Sequence, residues 1–116
     1  MAGSFRDLKV WQRSIELSVA TYRLTRDFPG EELYGLTSQL RRASVSIASN
    51  IAEGYGRMSA GEYRQFIGIA RGSALELQTQ LVIAERLGLG KKDQAREVEG
   101  LIEEVGKMLW ALGKKL

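Results

Sequence analysis

The sequence predicts an all-α fold, an antiparallel up-down-up-down bundle of four helices. Three observations lead there. Apolar residues recur at the roughly 3.6-residue helical spacing in four segments. No stretch of four or more residues shows the strict apolar-polar alternation of a half-buried strand. Glycine- or proline-containing breaks separate the four segments by only a few residues, which places successive helices antiparallel.

The first helix is expected over 7–26, with Leu8, Trp11, Ile15, Val19 and Tyr22 as its core face. Arg23 and Arg26 lie near its C-terminus, where positive charge suits the helix dipole. Phe28-Pro29-Gly30 ends it, because proline disfavours helix in the residue before it. The second helix is expected over 31–54, with Glu31 and Glu32 at its start and Leu33, Leu36, Leu40, Ala43, Ile47 and Ile51 inward. Gly54-Tyr55-Gly56 stops it.

The third helix, 60–87, has the clearest start. Ser59 with Glu62 three residues on forms a capping-box pattern, followed by inward Tyr63, Phe66, Ile67, Ala70, Ala74, Leu77, Leu81 and Ala84. Gly88-Leu89-Gly90 ends it. The fourth, 93–115, is expected to start on Asp93 as N-cap and to bury Val98, Leu101, Ile102, Val105, Met108, Leu109 and Leu112. Gly100, Gly106 and Gly113 weaken it by about 1 kcal/mol each where exposed.

Composition bounds the chemistry. The 116 residues, 44% of them hydrophobic, fit one domain over 5–116 that can bury a core without disulfides or metal. Because cysteine and histidine are absent, thiolate nucleophiles, imidazole acid-base catalysis and zinc sites built on those ligands are excluded. No cofactor, metal or catalytic residue is expected. No apolar run approaches the roughly 18 residues of a membrane span, and the lack of cysteine fits a reducing compartment, so no membrane partner and a cytoplasmic location are expected. The net charge of +3 is local: 36–75 carries five arginines against two glutamates, whereas 76–116 is balanced.

On a helical wheel, Val10, Leu17 and Leu24 fall seven apart and opposite the expected core face of the first helix. Gly68, Leu75, Val82 and Leu89 do the same on the third, with Arg64, Arg71, Gln78 and Glu85 as charged shoulders. Two such rows predict an oligomer interface between copies of the chain, since contiguous apolar patches mark interfaces.

Gln39, Arg42, Ser46, Asn50 and Glu53 form one polar row on the second helix. They read either as an interhelical network, bonded within the row or to a neighbour such as Arg71, or as a site, with Glu53 in a structural ion pair or else in a direct functional contact. A single carboxylate without a convergent acid, base or metal cluster makes a poor active site. Arg57, Arg64 and Arg71 are spaced by seven, with Arg41 and Arg42 on the second helix. An arginine fork fits phosphate, so these five are the candidate nucleic-acid-binding residues, with intersubunit salt bridges or solvation as the competing role.

Certain stretches carry a family resemblance. They are Phe5-Arg6-Asp7-Leu8-Lys9-Val10-Trp11; Phe28-Pro29, then the segment from Glu32 to Ala43; Asn50-Ile51-Ala52-Glu53-Gly54 with Arg57; and Phe66 to Glu76. Together they resemble the four-helix proteins encoded in 23S rRNA intervening sequences. The likeness runs from Phe5 to Gly88, the fourth helix matching only in its amphipathic pattern. That family is similar in fold to the accessory variability determinant of diversity-generating retroelements, a basic pentameric barrel that binds nucleic acid and a reverse transcriptase. The resemblance thus implies a small bacterial, non-catalytic protein assembled as a pentameric ring, with nucleic acid or a nucleic-acid-processing protein as partner.

The expected function is therefore a non-enzymatic oligomeric bundle that binds structured RNA or DNA through arginines. The alternative is a homo-oligomeric protein-interaction scaffold without nucleic-acid binding. Salt dependence separates the two.

Overall fold

The computed structural model describes residues 3–116. Four helices carry the fold: α1 (Lys9–Arg26), α2 (Ser38–Tyr55), α3 (Ala60–Arg86) and α4 (Lys92–Lys115). They pack as a bundle in which α1 meets α2, α2 meets α3, α3 meets α4, and α4 closes back on α1. The long dimension is 46 Å. A 27-residue α3, at about 1.5 Å per residue, accounts for most of it.

The core runs down the axis through Leu17 and Leu24 of α1, Leu40, Ile47 and Ile51 of α2, Ile67, Leu77 and Leu81 of α3, and Val98, Val105 and Leu109 of α4. For α2, α3 and α4 these are faces that periodicity predicts. For α1 the prediction holds only at its start, where Leu8 and Trp11 pack partly buried against the core. Val10, Leu17 and Leu24, expected outside, are buried, while Ile15, Val19 and Tyr22, expected inside, are exposed.

The cause lies in hydroxyl residues that complete the buried face. The Ser14 hydroxyl donates to the Val10 carbonyl at 2.7 Å, Thr21 to Leu17 at 2.8 Å and Thr25 to Thr21 at 2.8 Å. Each polar group is satisfied by the helix's own backbone, so burying it leaves no unpaired donor. A wheel that scores serine and threonine as polar therefore turns α1 the wrong way round.

Helix ends differ from expectation in three places. Phe5–Asp7 is a separate 3₁₀ turn capped by Ser4, whose hydroxyl accepts from the Arg6 amide, and α1 starts after an extended Leu8. Between α1 and α2 the chain passes through a 3₁₀ turn at Gly30–Glu32 and a π-helical turn at Leu33–Thr37. Gly35 there has φ −110° and ψ −114°, so regular helix begins only at Ser38, and Leu33, expected inward, is 46% exposed. At α4 the capping position is Lys91, with no side-chain cap, and Asp93 sits in the first turn, where its charge meets the dipole instead.

Other signals hold in place. Ser59 caps α3 by accepting the Glu62 amide at 3.2 Å, and its own hydroxyl donates to the Glu62 carboxylate at 3.3 Å. Gly88 and Gly90 take positive φ at the α3–α4 turn. Gly90 also lies so close to Leu24 that a Cβ there would stand 2.6 Å from Leu24 Cδ1. Leu89, predicted on the outer seam, packs partly buried against the core. α2 ends within Gly54-Tyr55-Gly56 as expected, at Tyr55, and the buried Gly54 gives α3 room: an added Cβ would lie 2.8 Å from Phe66 Cβ. Beside it, burial pushes the Tyr63 phenol above its usual value, with Tyr55 adding to the effect.

Candidate functional site

The five candidate arginines do not share one surface. Arg41 faces α1, where its Nε donates to Thr25 Oγ1 at 2.8 Å and its guanidinium lies 4.6 Å from the Tyr22 ring centroid. Arg57 precedes α3 and stacks over Phe66 at 4.5 Å, so it is not part of a helical stripe. Arg42 lines a cleft between α2 and α3. Only Arg64 and Arg71 come together, along the groove where α3 meets α4.

That groove is two adjoining depressions of about 380 and 230 Å³ that share Arg71 and Trp110. Its floor is apolar, with Ile67 and Ala74 from α3 and Ile102 and Leu109 from α4. Glycines open it. Gly68 on α3 and Gly106 on α4 leave space where a Cβ would meet no atom within 4 Å. On α4, Gly106, Trp110 and Gly113 follow at spacings of four and three, which keeps them on one face.

Trp110 is 54% exposed, an unusual position for the largest apolar side chain. The Arg71 guanidinium lies 5.1 Å from its ring centroid and the Lys114 ammonium 5.5 Å. Both distances are within cation-π range. Arg64 and Lys107 complete a lining of four cations against one carboxylate, Glu103. None of these four cations enters an ion pair among the described residues. By contrast, Arg13 is committed to structure: its guanidinium donates hydrogen bonds to Glu16 and Glu104, which hold it above its usual value, and the bond to Glu104 ties α1 to α4.

Such a groove offers an aromatic face for a base and cations outside ion pairs for phosphate oxygens, the two contacts by which single-stranded stretches of nucleic acid are bound. Sequence reasoning found Arg64, Arg71, Gly68 and Leu75 but missed Trp110, Lys107 and Lys114. The available signal was an aromatic residue off the core stripe of α4, flanked by lysines and glycines at helical spacing.

The expected seam splits. Leu75 and Val82 are exposed on α3 at 52% and 43%, whereas Val10, Leu17 and Leu24 are core and offer no outer surface. The exposed apolar residues of α1 are Ile15, Val19 and Tyr22, with Val45 of α2 one turn along from Arg41.

The polar row on α2 is partly a network. Asn50 Nδ2 donates to the Ser46 carbonyl at 2.8 Å and to its hydroxyl at 3.0 Å, and Ser46 shares a 2.9 Å hydroxyl hydrogen bond with Ser73 of α3. Glu53 is exposed and, among the described residues, makes no ion pair, contrary to the expectation of a structural one. Arg71 turns away from the row toward Trp110. Among the described residues there is no group of three or more acidic residues that could hold a metal, and no helix is long and apolar enough to cross a membrane.

Among solved structures, the chain is similar to a protein of unknown function from the S23 ribosomal protein family of Bacteroides thetaiotaomicron VPI-5482. The two share 22% identity over 90% of this chain and 98% of that one, with a TM-score of 0.81, a likeness of fold. No curated protein matches. The model of the 23S rRNA-intervening sequence protein family matches residues 6–111, reaching into all four helices, and the chain belongs to that family.

Proposed function

We propose that this protein is a non-enzymatic, self-associating four-helix subunit of the cytoplasm that binds structured RNA or DNA through the basic groove between α3 and α4. One observation carries the reading: Trp110 stands exposed between Arg71 and Lys114, in a groove also lined by the unpaired cations Arg64 and Lys107. Nucleic-acid binding through several phosphates weakens steeply with salt. The test is fluorescence anisotropy of labelled structured RNA and DNA across a salt series. Arg64→Ala and Arg71→Ala are each expected to lower the salt slope by about one, and Trp110→Ala to cost about 1–3 kcal/mol of affinity. Absence of binding even at low salt overturns the reading.

A protein-interaction scaffold is the second reading, favoured by apolar side chains exposed on two different helix pairs. Ile15, Val19 and Val45 lie on the α1–α2 side, and Leu75, Val82 and Trp110 on the α3–α4 side. Two unlike faces meeting between copies make a heterologous contact, which closes into a ring when the rotation allows. A ring of five is the assembly that the family resemblance implies. Leu75→Glu with Val82→Glu is expected to dissociate the particle in light scattering while leaving helicity intact. A wild-type monomer at micromolar concentration overturns self-association.

A further inference from the structure

We propose, on the basis of that nucleic-acid reading, that the part of a structured nucleic acid held by the α3–α4 groove is unpaired: two nucleotides of a bulge or single-stranded flank, one base on either side of the Trp110 ring.

The groove is partitioned. Its smaller depression is walled by Arg64 and Gly68 of α3 and Lys114 of α4, its larger one by Gln78 of α3 and Gly106 and Lys107 of α4. Arg71 and Trp110 are common to both, and on each helix the shared residue falls between the two sets, so their cation-π contact is the wall that divides them. Each half spans seven residues of α3, Arg64 to Arg71 and Arg71 to Gln78, or about 10 Å along the helix. Each half also has its own glycine with open space where a Cβ would stand, Gly68 in one and Gly106 in the other. Glycine weakens a helix interior, and at these two positions it keeps a bay open on both sides of the ring.

A double helix does not fit such a bay. Packed helices lie about 8–10 Å apart, whereas the major groove of a duplex alone is about 12 Å wide. A paired base also has both faces stacked on its neighbours and none to give to Trp110. An intact duplex therefore meets only the cations of the rim. A base reaches the apolar floor of Ile67, Ala74, Ile102 and Leu109 after leaving its stack, which costs least where it is already unpaired. Without nucleic acid, Arg71 and Lys114 rest on the ring at 5.1 and 5.5 Å. An incoming base takes the place of the farther cation, whose ammonium then meets a phosphate, and Arg71 at the division serves the phosphate that links the two bases.

The test is a series of labelled RNA hairpins with equal phosphate counts and internal bulges of zero, one, two or four nucleotides, titrated by anisotropy against the full chain. Each of the first two unpaired nucleotides is expected to tighten binding by at least about fivefold, the lower limit for a base stacked on an aromatic ring, with no further gain of that size beyond them. Trp110→Ala is expected to erase the gain, with circular dichroism to confirm that it folds. Emission gives a second readout. The chain has two tryptophans, so in Trp11→Phe the fluorescence belongs to Trp110, and bulged hairpins are expected to quench it where the fully paired one does not. Equal affinity across the series, or a gain retained in Trp110→Ala, overturns the proposal and leaves the groove as a phosphate site. A gain that stops at the first nucleotide, or continues through the fourth, overturns the division of the groove between two bases. Absence of binding to every hairpin at low salt overturns the nucleic-acid reading as well. The same hairpins made as DNA identify which sugar the groove prefers.

Discussion

Helices α1 and α3 each carry an apolar row at seven-residue spacing, and the two rows have opposite fates. Val10, Leu17 and Leu24 are packed into the core, while Leu75 and Val82 stand in solvent. The difference lies in what surrounds each row. On α3 a second, stronger stripe of Ile67, Ala70, Ala74, Leu77 and Leu81 takes the inward position. On α1 the competing stripe, Ile15, Val19 and Tyr22, loses to a face completed by Ser14, Thr21 and Thr25. Their hydroxyls are satisfied within the helix, and their small volumes let the neighbouring helices approach. Spacing identifies a face, but packing chooses between two.

The contrast breaks most visibly by truncation. Leu17→Ala is expected to cost about 2–5 kcal/mol in urea unfolding, as a fully buried leucine does. Leu75→Ala, at 52% exposure, should stay within about 0.5 kcal/mol. Comparable losses at the two sites would show that the seam on α3 is also part of a packed interior. Gly54→Ala comes next, at about 1–3 kcal/mol, because its new methyl would stand 2.8 Å from Phe66 Cβ where α2 and α3 touch.

A gain is expected on the open side of α3 and α4. Gly106→Ala should stabilise the protein by up to about 1 kcal/mol, read as a raised denaturation midpoint, since its Cβ meets nothing within 4 Å. The larger Gly106→Leu would fill the groove beside Trp110 and weaken nucleic-acid binding without loss of fold. Thr21→Val should move stability by less than about 1 kcal/mol, because the hydroxyl removed bonds only to its own helix. A large loss there would show that Thr21 serves more than its own backbone.

Much of the fold is legible in the chain. Ser59 and Glu62 mark the start of α3, Gly88 and Gly90 mark its end, and the inward residues of α2, α3 and α4 follow from periodicity alone. The start of α2 is less legible, because Glu31 and Glu32 look like a first turn whereas Gly35 breaks the helical path behind them. The candidate site is legible in halves. Arg64 and Arg71 are found by their spacing, but Trp110 falls off the core stripe of α4, and its meeting with Arg71 of α3 is set by how the two helices pack. Glu53, expected in an ion pair at the end of a polar row, is exposed and outside any ion pair among the described residues.

Sequence alone determined the number of helices, most of their limits and the chemistry the chain lacks, because capping, breaking and periodicity are properties of a helix by itself. The tertiary structure decided the rotation of α1, the dispersal of Arg41, Arg42 and Arg57 to separate surfaces, and the meeting of Arg71 with Trp110 across two helices. Each of those depends on how one helix is turned relative to its neighbours. That rotation is set by the volumes of side chains that meet across the core, a quantity no single helix encodes.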